Sequence, residues 1–124
     1  MSTPAFAKEV DYKYISELVS GEHKNALLID VRRPDEFAAG FIPGAHNLPS
    51  ADFAAALKLE PDEFKTKYGF EQPKQNNTDR PLVLYCGGGS RCKTAAVAAE
   101  LGGRAENLFV YYKGYREYKL MNNL

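Results

Sequence analysis

The chain has 124 residues, 44% of them apolar and 26% charged, which suits one compact domain with its own core and no need of staples. Lysine plus arginine and aspartate plus glutamate number 16 each, so neither a general nucleic-acid surface nor an anionic-membrane surface is expected, while a local basic pocket stays open. No apolar run approaches the roughly 20 residues of a membrane span, and two cysteines fit a reducing, cytoplasmic compartment better than a disulfide framework.

Residues 1–10 lack a secretory apolar region and carry no arginine, so no secretion signal or transit peptide is expected. Apolar residues at 14, 15, 18 and 19 make a helical stripe that ends near Gly21. Residues 26–32 are almost continuously apolar, as a strand covered on both faces would be. Pro34 opens a short helix that Gly40 ends, and residues 45–48 read as a short strand after the turn at Pro43-Gly44. Ser50 is placed as the cap of a helix over residues 51–57. Pro61 opens another helix to about Tyr68, followed by a polar loop over residues 69–80.

Residues 81–85 form an apolar run of strand length, and an Ala-rich helix is predicted from Lys93 to Leu101. A further strand at residues 107–111 and a helix over residues 114–121 complete the chain. Strands alternating with helices predict an α/β domain, residues 1–124 as a single unit, with a central parallel sheet and helices on both faces. Ligands of such sheets bind beyond the carboxyl ends of the strands.

Cys86-Gly87-Gly88-Gly89-Ser90-Arg91-Cys92 stands at that position. A strand, a glycine-rich loop and a helix start together gather backbone N–H groups and a helix dipole around an anion. A cysteine there is favoured as thiolate, the nucleophilic form. Glycines at 87, 88 and 89 permit positive φ and close backbone approach. Arg91 adds a fixed charge with forked donors. Asp30 and Arg32 end the neighbouring strand, where they orient the loop or each other, or form a structural pair. His46 reads as a bystander more readily than as a base, and the tyrosines at 111, 112, 115 and 118 as packing of the last helix. Cys92 reads as a small core residue, with capture of an oxidised Cys86 as the alternative. No residues have metal-ligand spacing, and no metal or cofactor is expected.

Three stretches resemble the single-domain rhodaneses: residues 30–37 (Asp30-Val31-Arg32 through Phe37), residues 40–49 (Gly40-Phe41-Ile42-Pro43-Gly44-Ala45-His46-Asn47-Leu48-Pro49), and Cys86-x-x-Gly89-x-Arg91. With Gly114-x-x-x-Tyr118 the similarity runs over nearly the whole chain, and the region between Pro61 and Lys74 resembles the small thiosulfate:glutathione-type members. The resemblance implies a rhodanese-like fold and a sulfurtransferase. It would move sulfane sulfur from thiosulfate to a thiol acceptor such as glutathione, or to cyanide, through a Cys86 persulfide. Residues 87–92 would bind substrate, thioredoxin or another protein could serve as acceptor, and the segment from Lys65 to Lys74 could flank the acceptor site.

The Cys-Gly-x-Gly opening resembles mercaptopyruvate sulfurtransferases, whereas Arg91 points to thiosulfate. Phosphatases of the same fold carry five residues between cysteine and arginine, and this chain has four. A sulfide-sensing binding module is the non-enzymatic alternative.

Overall fold

The computed structural model describes residues 7–76, 78–88 and 90–124. Among them, the strands are β1 (Lys8–Glu9), β2 (Leu27–Asp30), β3 (His46–Asn47), β4 (Leu82–Tyr85) and β5 (Leu108–Tyr111). The helices are α1 (Tyr12–Val19), α2 (Pro34–Ala38), α3 (Ser50–Ala56), α4 (Pro61–Tyr68), α5 (Ser90–Leu101) and α6 (Gly114–Met121). The strands form one sheet in the order β1-β5-β4-β2-β3, with every pairing parallel.

Side chains of successive strand residues point to opposite faces, and both faces here are covered. Leu27, Ile29, Leu82, Leu84, Leu108 and Val110 pack against Phe53, Phe64 and the alanines of α5. Leu28, Val83, Tyr85 and Tyr111 pack against Ile15, Ile42 and Tyr118. This double burial explains why β2 and β4 read as continuous apolar runs rather than alternating ones. Ala95, Ala96 and Ala99 are wholly buried, so α5 lies close on the sheet directly after the Cys86 loop.

The structure corrects the expected boundaries in three places. The two-residue edge strand β1 was not foreseen, because both its residues are exposed and it pairs only with β5. Ser50 is not a cap: it is the first residue of α3, Pro49 occupies the cap position, and the Ser50 N–H donates to the Val31 carbonyl. Helix α5 begins at Ser90 rather than Lys93, which places Ser90, Arg91 and Cys92 in its first turn. Asp11 caps α1 by accepting from the Tyr14 N–H at 3.1 Å, and Gly69 ends α4 at φ +81.

Candidate active site

Cys86 follows β4, which lies between β2 and β5 in the sheet. Cys86 is 1% exposed and belongs to the core on the α5 face, so the cysteine expected as a nucleophile is buried in this structure. The Arg91 side chain lies beside Gly87. A Cβ at Gly87 would stand 3.0 Å from the Arg91 Nη2. A side chain at Gly87 would therefore press on the tip of the Arg91 side chain, which would have to give way. Neither Gly87 nor Gly88 has the positive φ expected of it; Gly89 lies outside the described residues. Gly88 and Ser90 are exposed.

Arg91 does not point at an empty site. Its guanidinium forms a forked ion pair with Glu36 on α2, through Nη1 to Oε1 and Nη2 to Oε2, the latter at 3.2 Å. The hydrogen bond from Arg91 holds the Glu36 carboxyl below its ordinary value, and Glu36 in turn keeps Arg91 protonated. Glu36 also accepts from the Arg33 N–H at 3.2 Å, so one carboxylate ties the start of α2 to the Cys86 loop. A partner 55 residues away leaves no signal in the sequence around Glu36.

Asp30 is fully buried and Arg32 nearly so. They form a bidentate pair, Nε to Oδ1 at 3.0 Å and Nη2 to Oδ2 at 2.7 Å, and the Arg32 backbone N–H adds a bond to Oδ1 at 2.9 Å. Arg32 Nη2 also donates to the Gly40 carbonyl at 2.6 Å, and the guanidinium lies 4.4 Å from the centre of the Tyr115 ring. The Arg32 Cδ approaches within 3.9 Å of a Cβ placed at Gly87. The pair thus braces the turn after β2, and the Arg32 side chain lies alongside Gly87. Asn47 donates to the carbonyls of Asp30 and Arg32, each at 3.0 Å, a supporting contact the sequence did not suggest.

Cys92 is wholly buried among the α5 core residues. Burial first, and behind it a hydrogen bond to Cys86, push its thiol well above the ordinary 9.0. It is a neutral thiol beside the proposed nucleophile. His46 stacks on Phe70 at 4.5 Å on edge strand β3, with β2 between it and β4, which removes it from the Cys86 loop. Burial lowers its pKa. Glu71 to Lys74 line a cleft with Leu27 and Leu82 at the amino ends of the strands. That part of the expected acceptor segment is therefore a strand length away from Cys86.

Helix α6 closes the other side. Tyr115 N–H donates to the Cys86 carbonyl at 2.8 Å, and Arg116 N–H to the Gly87 carbonyl at 3.2 Å. Gly114, at φ +62, permits this approach, since any Cβ there would collide with the Cys86 carbonyl oxygen. Tyr115 had been read only as packing; it floors the cleft beside Gly87.

The Rhodanese-like domain family matches residues 13–121 of this sequence. The chain belongs to that family. The human thiosulfate:glutathione sulfurtransferase is 39% identical over 104 residues, which span 83% of this chain and 78% of the human one. A mitochondrial relative from Schizosaccharomyces pombe is 41% identical over 80 residues, covering 64% of this chain and 54% of its own length. Among solved structures, the human single-domain sulfurtransferase TSTD1 superposes with a TM-score of 0.78 at 38% identity, over 90% of this chain and 95% of that one. The Saccharomyces cerevisiae single-domain sulfurtransferase RDL2 gives 0.82 at 30% identity, over 98% and 94%. This rhodanese domain therefore has sulfurtransferases among its single-domain relatives, some of them mitochondrial. Among the described residues, no helix is long and apolar enough to cross a membrane.

Proposed function

We propose that this rhodanese domain is a thiosulfate sulfurtransferase that works through a persulfide on Cys86. The observation that carries the reading is the position of Cys86: a central strand end, a glycine loop, and the first turn of α5 meet at one sulfur. Peptide N–H groups in a first helical turn have no intrahelical acceptors, and together with the dipole they favour an anion there. The Cys86 thiolate attacks the outer sulfur of thiosulfate. The S–S bond of the donor breaks, sulfite leaves with its electron pair, and the enzyme holds Cys86-S-S⁻. An acceptor thiolate then attacks the outer sulfur of the persulfide, forming its own persulfide and returning the Cys86 thiolate. Cyanide would accept the same sulfur as thiocyanate, and thioredoxin is a protein thiol of the required chemistry. A reducing compartment such as the cytoplasm supplies such acceptors.

In this reading the Glu36–Arg91 clasp opens to free Arg91 for the donor. A sulfonate offers Arg91 the same forked oxygens that the carboxylate offers, so the donor replaces one anion with another. The names of the human and yeast relatives, each a thiosulfate:glutathione sulfurtransferase, support thiosulfate as donor and glutathione as acceptor. The test is sulfite release from thiosulfate in the presence of glutathione, set beside turnover of mercaptopyruvate and of p-nitrophenyl phosphate. Sulfite release that Cys86→Ser abolishes is expected. Faster turnover of either alternative substrate would replace the assignment.

A further inference from the structure

A cleft of about 520 Å³ opens beside Gly87, floored by Tyr115 and lined by Arg116, Lys119 and Leu120. Its volume is within the range of small-molecule sites, roughly 300–1,000 Å³, and larger than a donor the size of thiosulfate needs. No acidic side chain lines it. Arg116 and Lys119 are both exposed. Among the described residues neither is recorded in an ion pair, in contrast to Arg32, Arg33 and Arg91, each of which holds a carboxylate. Leu120, 75% exposed, adds an apolar wall at the rim. The backbone bonds from Tyr115 and Arg116 to the Cys86 and Gly87 carbonyls fix this cleft against the reactive residue. Two unneutralised cations and a short apolar wall, bound to the main chain of the nucleophile, describe a receptor for a small anion larger than the donor.

We propose that this cleft is the acceptor subsite and that it takes a peptide thiol carrying two carboxylates, which Arg116 and Lys119 bind alongside Gly87, next to the main chain of Cys86. The proposal rests on the sulfurtransferase reading, since it supplies the second substrate of that reaction. It also explains why Arg91 can be committed to Glu36 and the donor: the acceptor has cations of its own. Arg116 and Lys119 act on the carboxylates alone, so they discriminate among thiols by charge rather than by reactivity.

Two measurements test this. In the first, S-methylglutathione, which cannot accept sulfur, is titrated into the protein and followed by amide NMR. Shifts are expected at Tyr115, Arg116 and Lys119, with binding weakened about tenfold in the Arg116→Ala/Lys119→Ala double variant, as loss of two exposed charge contacts implies. In the second, the ratio of the KM for glutathione to that for 2-mercaptoethanol rises about tenfold in the double variant. Absence of shifts around α6, or an unchanged KM ratio, overturns the subsite. Binding of S-methylglutathione by a protein that takes no sulfur from thiosulfate would leave the subsite standing and refute the sulfurtransferase reading; sulfur transfer without such binding would do the reverse.

Discussion

Gly114→Ala should damage both the fold and the Cys86 loop, and its cost can be worked from the backbone. The residue sits at φ +62, at the start of α6. Forcing an L-residue into that region costs about 1–2 kcal/mol. The added methyl would also press on the Cys86 carbonyl oxygen and stand 3.0 Å from both the Cys86 carbonyl carbon and the Gly87 oxygen. These are backbone atoms with no rotamer to yield, so an overpacking cost of about 1–3 kcal/mol is added. The total, about 2–5 kcal/mol, is a large part of the roughly 5–15 kcal/mol that stabilises a domain. It should lower Tm by about 10 °C or more.

Gly21→Ala is the matched control. Gly21 has φ +95 with nothing within 4 Å of its Cβ position, so it carries the conformational cost alone. Differential scanning calorimetry of both variants, with sulfite release assayed well below either Tm, separates the two costs. The account expects the larger Tm loss in Gly114→Ala, together with a loss of turnover that Gly21→Ala does not share. Equal Tm losses, or full turnover in Gly114→Ala, would refute the idea that the docking of α6 on the Cys86 carbonyl supports the proposed nucleophile.

Glu36→Gln should lower the KM for thiosulfate several-fold, because a neutral amide competes less with the sulfonate for Arg91; a raised KM would mean that Glu36 positions Arg91 instead of masking it. Glu36 is held below its ordinary 4.5 chiefly by Arg91. The clasp therefore stabilises the fold at and above that value and loses its contribution as pH falls through the lower folded-state pKa. Thermal melts between about pH 6 and about pH 3 should accordingly show a shallower acid decline in Glu36→Gln than in the parent, and parallel curves would count against it. Asp30→Asn leaves the buried Arg32 guanidinium without a counter-charge and should cost about 3 kcal/mol by urea denaturation, where a loss under about 1 kcal/mol would show the pair to be dispensable. Cys92, buried and shifted upward by burial and by Cys86, should resist iodoacetamide in the native protein near neutral pH and react only in urea; rapid native alkylation would contradict its placement.

The parallel sheet was legible because residues 26–32 and 81–85 are buried on both faces, which leaves a continuous apolar run in the sequence. The loop from Cys86 to Arg91 stands out in the sequence because its cysteine, glycines and arginine are contiguous. What escaped was long-range or set by the main chain. Lys8 and Glu9 form a strand only because β5 offers an open edge, and no local pattern of theirs records it. Ser50 has the composition of a cap, yet the bond from its N–H to Val31 draws it into the helix. The clasp between Glu36 and Arg91 joins residues 55 positions apart, and Arg116 and Lys119 come beside Gly87 only through the docking of α6 on the Cys86 and Gly87 carbonyls. The glycines at 87 and 88 suggested positive φ, which neither has; at Gly87 the Arg91 side chain lies close by instead.

The most direct test of the account is the mass of the intact protein after incubation with excess thiosulfate. Wild-type protein should gain one sulfur atom and lose it on addition of cyanide, and Cys86→Ser should gain none. A wild-type mass that does not change, or a gain that persists in Cys86→Ser, would contradict persulfide chemistry at this cysteine.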